Sequence, residues 1–203
     1  MIKRTSLEHI NSILEQNPNW NILDVGCGFN AHPRANTVCD VQNLSKFYKN
    51  TKFVQLTEKK FPFENNQFDF VIASHVIEHV EDVSIFISEL ERISKRGYIE
   101  LPTKLEDNMV FENKKEHLWH MDFDDVNNKL LISKKIQIFE PFLTVASIKK
   151  LNKDFRKSLV LELIWEDKIN YVLETKVDSK IDKISIFKLF KKYISKRIRM
   201  LLS

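Results

Sequence analysis

The sequence predicts a single α/β domain built on an open, mostly parallel sheet. Short apolar runs typical of buried strands recur through the first hundred residues, and an amphipathic helix separates the last two of them. A chain of 203 residues with 43% hydrophobic residues is long enough for one well-cored domain. Because a strand, a crossover helix and a further strand form a right-handed βαβ unit, we expect parallel pairing with helices on both faces of the sheet.

The first predicted element is a helix over residues 6–15. Thr5 and Glu8 fit a capping box, apolar residues follow at helical spacing, and Asn17-Pro18 ends the pattern. Five runs of buried-strand type come next, and we expect them to pair in parallel. They are "WNILDV", "NTVCDV", "KFVQL", "FDFVIAS" and "GYIEL".

The clearest predicted helix lies between the last two runs, in "EDVSIFISELERISKRG". Asp82 is a natural N-cap, Lys95-Arg96 supplies a cationic last turn, and Gly97 is the expected stop. Beyond Pro102 the sequence predicts a polar stretch and a short helix over residues 122–131. "LVLELIW" and "INYVLETK" then predict an antiparallel hairpin that closes one edge of the sheet.

The stretch "LDVGCG" holds Gly26 and Gly28, two of only three glycines in the chain. At the usual frequency of about 7%, a chain of this length would hold about 14 glycines. We expect the loop to offer uncovered backbone N–H groups at the end of the first parallel strand, where open α/β sheets bind ligands. The alternative is a simple tight turn.

The residues after this loop narrow the ligand class. Asp40 ends the second predicted parallel strand, where a carboxylate can accept both hydroxyls of a ribose. Ala31 stands where G-x-G-x-x-G has its third glycine, which disfavours a pyrophosphate-binding turn. We therefore expect a ligand with a ribose and no pyrophosphate, and an NAD-dependent oxidoreductase is a distant alternative.

"ILDVGCG", Asp40 and "FPFENNQFDFVIASHVIEHVEDVSIFISELERISKRGYIELP" together resemble the class I S-adenosylmethionine-dependent methyltransferases. Within that class the resemblance is to type 11-like enzymes of polysaccharide and cell-surface biosynthesis, and it covers roughly residues 21–102. It implies a Rossmann-like fold, S-adenosylmethionine as the cofactor, and a small-molecule or glycan acceptor such as a sugar hydroxyl of a surface-polysaccharide precursor. A non-catalytic scaffold or binding protein that keeps this fold is the alternative.

The resemblance also assigns roles to single residues. The methionine end of the cofactor is expected at the glycine loop, the ribose at the second parallel strand, and the transferred methyl group beyond "FVIAS". Thr57 stands where the family commonly has an acidic residue near the adenine, with Glu58 beside it. The complete predicted cofactor set is Asp24, Gly26, Cys27, Gly28, Asp40, Thr57, Ser74 and His75.

Histidines supply the candidates for catalysis. His75 is the predicted general base for a hydroxyl acceptor, with His117 and His120 as weaker candidates. His79 is expected either to pack or to make a supporting hydrogen bond, and because "HVIEH" lacks a third ligand at a recognisable spacing, no metal site is expected. Trp119 is predicted either to stack on a sugar or to lie in the core.

Two segments carry further expectations. Only eleven residues separate Gly28 from Asp40, too few for a full crossover helix, so we predict a loop in which Arg34 is structural rather than ligand-binding. Cys27 and Cys39 fit no metal or disulfide spacing and are predicted to be free thiols. The absence of a signal-like or membrane-spanning run suggests a cytoplasmic protein.

We divide the chain into a methyltransferase domain, 1–179, and a basic C-terminal helix, 180–203. The net charge is +4, while residues 180–203 carry eight Lys/Arg and one Asp, which is +7 and leaves −3 for the rest. The body is therefore not expected to bind nucleic acid. The helix predicts peripheral contact with an anionic membrane, with packing on protein as the alternative. Its apolar face is Ile181, Ile184, Phe187, Phe190, Ile194, Ile198 and Leu201.

Overall fold

A computed structural model describes residues 1–174 and 185–202, which form ten strands and six α-helices. The strands are β1 (Ile2–Arg4), β2 (Ile22–Val25), β3 (Thr37–Asp40), β4 (Lys52–Gln55), β5 (Phe70–Ser74), β6 (Arg96–Pro102), β7 (Trp119–Asp124), β8 (Lys129–Lys134), β9 (Val160–Glu166) and β10 (Tyr171–Glu174). The helices are α1 (Leu7–Gln16), α2 (Val83–Ile93), α3 (Lys104–Met109), α4 (Asn113–Glu116), α5 (Val145–Leu159) and α6 (Ile186–Leu202).

Seven strands form the main sheet, in the order β1-β9-β6-β5-β2-β3-β4. The five strands from β2 to β6 are parallel, as predicted, while β9 is antiparallel to both β6 and β1. The chain runs outward from β2 to β4 and then returns to place β5 on the other side of β2. This reversal of strand order creates a topological switch point at the carboxyl ends of β2 and β5. The predicted Rossmann-like fold class is confirmed.

The predicted edge hairpin is wrong, because its two strands, β9 and β10, do not pair with each other. β9 is inserted between β1 and β6, where it pairs with β6 over seven residues from Arg96↔Glu166 to Pro102↔Val160. β10 instead lies parallel to β8 in a separate three-stranded sheet, β10-β8-β7. β9 is buried on both faces, whereas β10 alternates between half-buried and exposed residues, so the two runs suit different environments.

The helix predicted over residues 122–131 is also wrong, because that segment holds the turn between β7 and β8. Met121 and Phe123 alternate with polar residues and are buried, as are Leu130 and Ile132. This period of two places both apolar pairs on one face of the small sheet.

Two predicted helix boundaries are corrected as well. α1 is capped by Ser6, whose hydroxyl accepts from the His9 N–H, rather than by Thr5. α2 begins after the predicted cap, Asp82, but ends at Ile93, and Gly97 lies within β6. A side chain at Gly97 would place its Cβ 2.3 Å from the Val71 carbonyl oxygen, so this glycine provides space rather than a helix stop.

Helices cover both faces of the main sheet, as predicted. On one face, Ile10 and Leu14 of α1 pack against Phe70, Ile72 and Tyr98. On the other face, the apolar side of α2 and the inner face of the small sheet share one large core with β2, β5 and β6.

The connections from β2 to β3 and from β3 to β4 contain no helix, which confirms the predicted loop after Gly28. A small cluster around Cys27, Val38 and Leu44 fills the space beside these loops. Both cysteines are free and buried, as predicted. Within the described residues, no helix is both long and apolar enough to cross a membrane. The proposed domain boundary at 179/180, together with Ile181 and Ile184, lies outside the described residues.

Candidate functional site

A cavity of about 960 Å³ opens at the carboxyl ends of β2, β3 and β5, beside the topological switch point. Its volume falls within the range of small-molecule sites, and its position is where open α/β sheets bind ligands. The cavity brings together five of the predicted site residues. They are Gly26, Gly28, Asp40, Thr57 and His75.

The two glycines of the loop act in different ways. Both have left-handed backbone conformations, with φ of +66° at Gly26 and +49° at Gly28, which side chains disfavour. A Cβ at Gly26 would lie 2.4 Å from a methyl carbon of Val76, which itself lines the cavity. A Cβ at Gly28 would meet no atom within 4 Å. Gly26 therefore permits close packing, while Gly28 keeps the cavity open.

The expectation of uncovered N–H groups in this loop is not met. The Gly26 and Cys27 N–H groups donate to the Cys39 carbonyl at 2.8 and 3.2 Å, and the Gly28 N–H donates to Asp40 Oδ2 at 2.9 Å. The loop is thus tied to the end of β3. The polar group that it presents to the cavity is the Asp40 carboxylate.

Asp40 is positioned to bind a ligand while it holds the loop. Its Oδ2 accepts from Gly28 and its Oδ1 accepts from the Gln42 N–H at 2.9 Å. A carboxylate offers about four acceptor positions, so two remain for hydroxyl donors. Asp40 is 8% exposed and lies in the cavity wall, which is compatible with the predicted ribose contact.

Next to Asp40 the cavity has an apolar wall that sequence reasoning missed. Val41 follows Asp40 and is 70% exposed, although it is a large apolar residue in the wall of a cavity. Leu56, Phe61 and Ile85 complete this wall. Thr57 lies at its edge, where the adenine was predicted. The only sequence signal for Val41 was its place directly after a strand-ending aspartate.

Asp24, Cys27 and Ser74 lie outside the cavity wall. Asp24 is buried behind the loop and accepts from the His32 N–H at 2.7 Å. Burial and the Asp40 charge together raise the pKa of Asp24 to about 6, against the lowering effect of the bond from His32. The Cys27 side chain packs into the loop cluster, where burial raises the pKa of its thiol to about 11.

His75 lies directly after β5 in a left-handed conformation, with φ +54°. Its Nε2 lies 3.2 Å from Glu100 Oε1, and its Nδ1 lies 3.4 Å from Glu78 Oε1. Burial of the ring lowers the pKa of His75, but the two carboxylates outweigh burial and raise it to about 10. An imidazolium has no free lone pair, so this arrangement disfavours His75 as a general base at neutral pH.

Glu100 connects His75 to a buried polar network. Its Oε2 accepts from the Tyr98 hydroxyl and from Arg156 Nη2, each at 2.6 Å, and Arg156 also donates to Glu162 at 2.8 Å. Burial opposes the charged carboxylate, but His75, Tyr98 and Arg156 together lower the pKa of Glu100 to about 2. The network fixes His75 in its protonated form.

The two weaker base candidates share one carboxylate. His117 Nδ1 and His120 Nδ1 each lie 2.7 Å from an oxygen of Asp107, and Lys135 donates to Asp107 at 2.8 Å. His120 Nε2 also bonds the Ile136 carbonyl, so both of its ring nitrogens are occupied. His117 keeps Nε2 free of any such contact.

Two other residues singled out in the sequence have structural roles. Trp119 is 5% exposed and donates from its indole N–H to the Val80 carbonyl at 2.8 Å, which supports the core alternative. Arg34 donates to the Asn17 and Pro18 carbonyls beyond the end of α1 and does not line the cavity.

The charge of the cavity wall is mainly negative. Besides Asp40, four acidic residues line it, whereas Lys59 and His75 are the cationic groups in the same wall. The four are Glu58, Glu81, Asp82 and Glu116. A wall of this sign attracts a cationic ligand and repels a pyrophosphate, which agrees with the missing third glycine.

Comparisons with known proteins agree with this site. Residues 23–99 match the family model described as "Methyltransferase domain". This match covers less than half of the chain, and it supports the predicted methyltransferase class and S-adenosylmethionine as the cofactor. The polysaccharide branch is a finer statement that stays a proposal. No curated protein sequence matches the chain.

Several solved structures share the fold to a limited extent. The YcgJ protein of Bacillus subtilis is 20% identical over 47% of this chain and 51% of its own, with a TM-score of 0.39. A putative sarcosine dimethylglycine methyltransferase of Galdieria sulphuraria is 18% identical over 47% and 44%, with a TM-score of 0.38. This chain therefore spans about half the length of either protein. A possible histamine N-methyltransferase of Thermotoga maritima is 14% identical over 80% and 89%, with a TM-score of 0.45.

Proposed function

We propose that this chain, through the methyltransferase domain matched at residues 23–99, binds S-adenosylmethionine and transfers its methyl group to a small-molecule acceptor. One observation carries the proposal. The cavity at the switch point is kept open by Gly28 and is lined by Asp40, which has acceptor capacity to spare.

The electrostatics of the cavity suit this cofactor. S-adenosylmethionine carries a sulfonium and an ammonium group, and the wall that surrounds them is mainly acidic. We place the ribose hydroxyls on Asp40 and the adenine against the apolar wall of Val41 and Phe61, beside Thr57. The methionine end then lies along Gly26 and Gly28, in front of the buried Asp24, Cys27 and Ser74.

Methyl transfer is an in-line displacement, so the protein contributes mainly by positioning the two reactants. S-adenosylmethionine would supply an activated methyl group on its sulfonium sulfur. An acceptor hydroxyl would take this methyl group and lose its proton to solvent, which would leave S-adenosylhomocysteine. We place His75 beside this reaction as a positioning group, because Glu78 and Glu100 hold it protonated. We propose a sugar hydroxyl of a surface-glycan precursor as the acceptor, on the resemblance alone.

Calorimetric titration with S-adenosylmethionine and S-adenosylhomocysteine tests the binding step. In Gly28→Ala the added Cβ would meet no protein atom within 4 Å at a residue that lines the cavity, and its left-handed backbone would be strained by about 1–2 kcal/mol, so we expect affinity to fall at least about tenfold. Asp40→Asn should weaken binding by losing a charged acceptor. Asp154→Asn, an exposed change on α5, is the control.

Failure of the folded wild-type protein to bind either compound would contradict the proposal. Equal affinity in wild type, Gly28→Ala and Asp40→Asn would place the binding site elsewhere. Tight binding with no transfer to any of a panel of sugar acceptors would instead support the alternative of a non-catalytic binding protein.

We propose that α6 contacts an anionic membrane surface. Residues 186–202 carry six Lys/Arg and no acidic residue, and Phe187, Phe190, Ile194, Ile198 and Leu201 are all exposed along one face. The full chain should sediment with phosphatidylserine-containing vesicles, and a Phe187→Ser, Phe190→Ser variant of the same charge should sediment much less. Equal sedimentation of the two proteins would contradict apolar insertion.

A further inference from the structure

We propose that Glu78, His79 and His117 form a binding site for a divalent transition-metal ion such as Zn²⁺ in the wall of the methyl-transfer cavity. One potential ligand atom from each residue lies within 4.8 Å of the other two. The role of the ion in catalysis rests on the proposed function. Binding of the ion to the protein does not depend on that function.

The three residues come from two segments that the fold holds together. Glu78 and His79 lie in the single 3₁₀ turn Ile77–His79 that follows β5, and His117 ends α4. The Leu118 N–H donates to the Glu78 carbonyl at 2.8 Å, which joins the segments beside the site. The two imidazole rings meet edge to face, with centroids 4.5 Å apart.

Hydrogen bonds fix both histidines in the tautomer that a metal requires. His79 Nδ1 bonds the Glu116 carbonyl at 3.0 Å, and His117 Nδ1 bonds the Asp107 carboxylate at 2.7 Å. Because a carbonyl and a carboxylate only accept, Nδ1 of each neutral ring carries the proton and Nε2 keeps its lone pair. Such outer contacts, from a carboxylate or a backbone carbonyl, accompany most metal-binding histidines.

Glu78 provides the independent sign of a missing ligand. Its side chain is 0% exposed, and within the part of the chain that the structure describes neither carboxylate oxygen has a hydrogen-bond partner. The nearest cation is the His75 ring, 3.4 Å from Oε1, which leaves Oε2 without any compensation. A buried carboxylate in this condition is costly, and a bound cation would remove the cost.

The donor set favours zinc and leaves a coordination position open. Two imidazoles and one carboxylate are a ligand set of catalytic zinc sites, in which a water or substrate takes the fourth position. Tetrahedral bonds of about 2.0–2.1 Å place ligand atoms about 3.3–3.5 Å apart, so atoms that lie within 4.8 Å of one another need to close by at most about 1.5 Å. His79 is exposed and lines the cavity, whereas Glu78 and His117 are buried, so the site would reach the cavity through His79.

A metal at this position would promote deprotonation of an acceptor hydroxyl. An acceptor hydroxyl bound to the ion has a lowered pKa and releases its proton to solvent water at the cavity mouth. The resulting oxyanion attacks the methyl carbon, and the sulfonium sulfur keeps the electron pair of the broken bond. The third ligand was missed in the sequence because His117 is far from "HVIEH" along the chain.

Titration of the chelator-stripped, full-length protein with ZnCl₂ and CoCl₂ tests the site. We expect one ion per chain and, with Co²⁺, the intense visible absorption of a four-coordinate ion. His79→Ala and Glu78→Gln should weaken binding by about 10–100-fold, whereas His9→Ala, an equally exposed histidine on α1, should leave it unchanged.

Folded wild-type protein that binds neither ion would overturn the site, as would equal binding by wild type and His79→Ala. S-adenosylmethionine titrations of the same samples separate the two proposals. Cofactor binding without metal binding removes the metal site alone, and metal binding without cofactor binding removes the proposed function alone.

Discussion

Replacing Asp24 by Asn is expected to stabilise the protein at neutral pH and to lose that advantage in acid. Asp24 is 5% exposed, and burial together with the Asp40 charge raises its pKa from 3.8 to about 6, against the bond from His32. Each pKa unit corresponds to about 1.4 kcal/mol, so the shift costs the folded state about 3 kcal/mol at pH 7.

The direction in which stability changes with pH follows from the number of protons bound by the folded and the unfolded chain. The unfolded chain releases the Asp24 proton near pH 4, while the folded protein keeps it to about pH 6, so stability falls as pH rises through this interval. Asn carries no charge and can still accept from His32, but its buried amide group costs about 1–2 kcal/mol if unpaired. We therefore expect a net gain of about 1–2 kcal/mol at pH 7.

Urea unfolding followed by tryptophan fluorescence measures this effect at several pH values between 4 and 7.5. The difference in unfolding free energy between Asp24→Asn and wild type should change by about 2 kcal/mol from pH 4 to pH 7, because more than half of the unfolded chains are already ionised at Asp24 at pH 4. The exposed change Asp154→Asn should stay within about 0.5 kcal/mol throughout. A difference for Asp24→Asn that is the same at both pH values would refute the reasoning.

Two further predictions concern packing. Gly97→Ala should destabilise the protein by about 1–3 kcal/mol, because its Cβ would lie 2.3 Å from the Val71 carbonyl oxygen. An unchanged urea midpoint would contradict this prediction and show that β6 and β5 can separate without cost. Cys27 and Cys39 should resist Ellman's reagent at pH 8 until the protein unfolds, because both are buried and burial raises the pKa of each thiol. Rapid labelling of the folded protein would contradict the buried positions of the two cysteines.

The parallel core of the fold could be predicted because its signals are local. The runs around β2, β3 and β5 are buried on both faces, so continuous apolar sequence identified them. The small sheet could not be predicted in this way. Only one face of β7 is buried, and the alternating apolar and polar residues at its end lie in the segment for which a helix was predicted. The position of β9 in the sheet depends on its pairing with β6, and no short stretch of sequence encodes that pairing.

The candidate site also contains residues that could be predicted from the sequence and residues that could not. The positions of Gly28 and Asp40 could be predicted because each lies at the carboxyl end of an apolar run, where parallel strands meet at one edge of the sheet. The charge of His75 depends on Glu100, and the proposed metal site depends on His117, both of which reach the cavity from distant segments. The place of His75 just after an apolar run suggested a general base, and the spacing in "HVIEH" offered no third metal ligand. The contacts of His75 disfavour the first role, while the metal site is our proposal and depends on His117.

The measurement that tests the central claim most directly is a crystal structure of the full-length protein with S-adenosylhomocysteine. The account predicts the ligand in the cavity beside Gly28, with its ribose hydroxyls within hydrogen-bonding distance of the Asp40 carboxylate and its adenine against Val41. A ligand bound away from the carboxyl ends of β2 and β3, or a ribose without contact to Asp40, would contradict it.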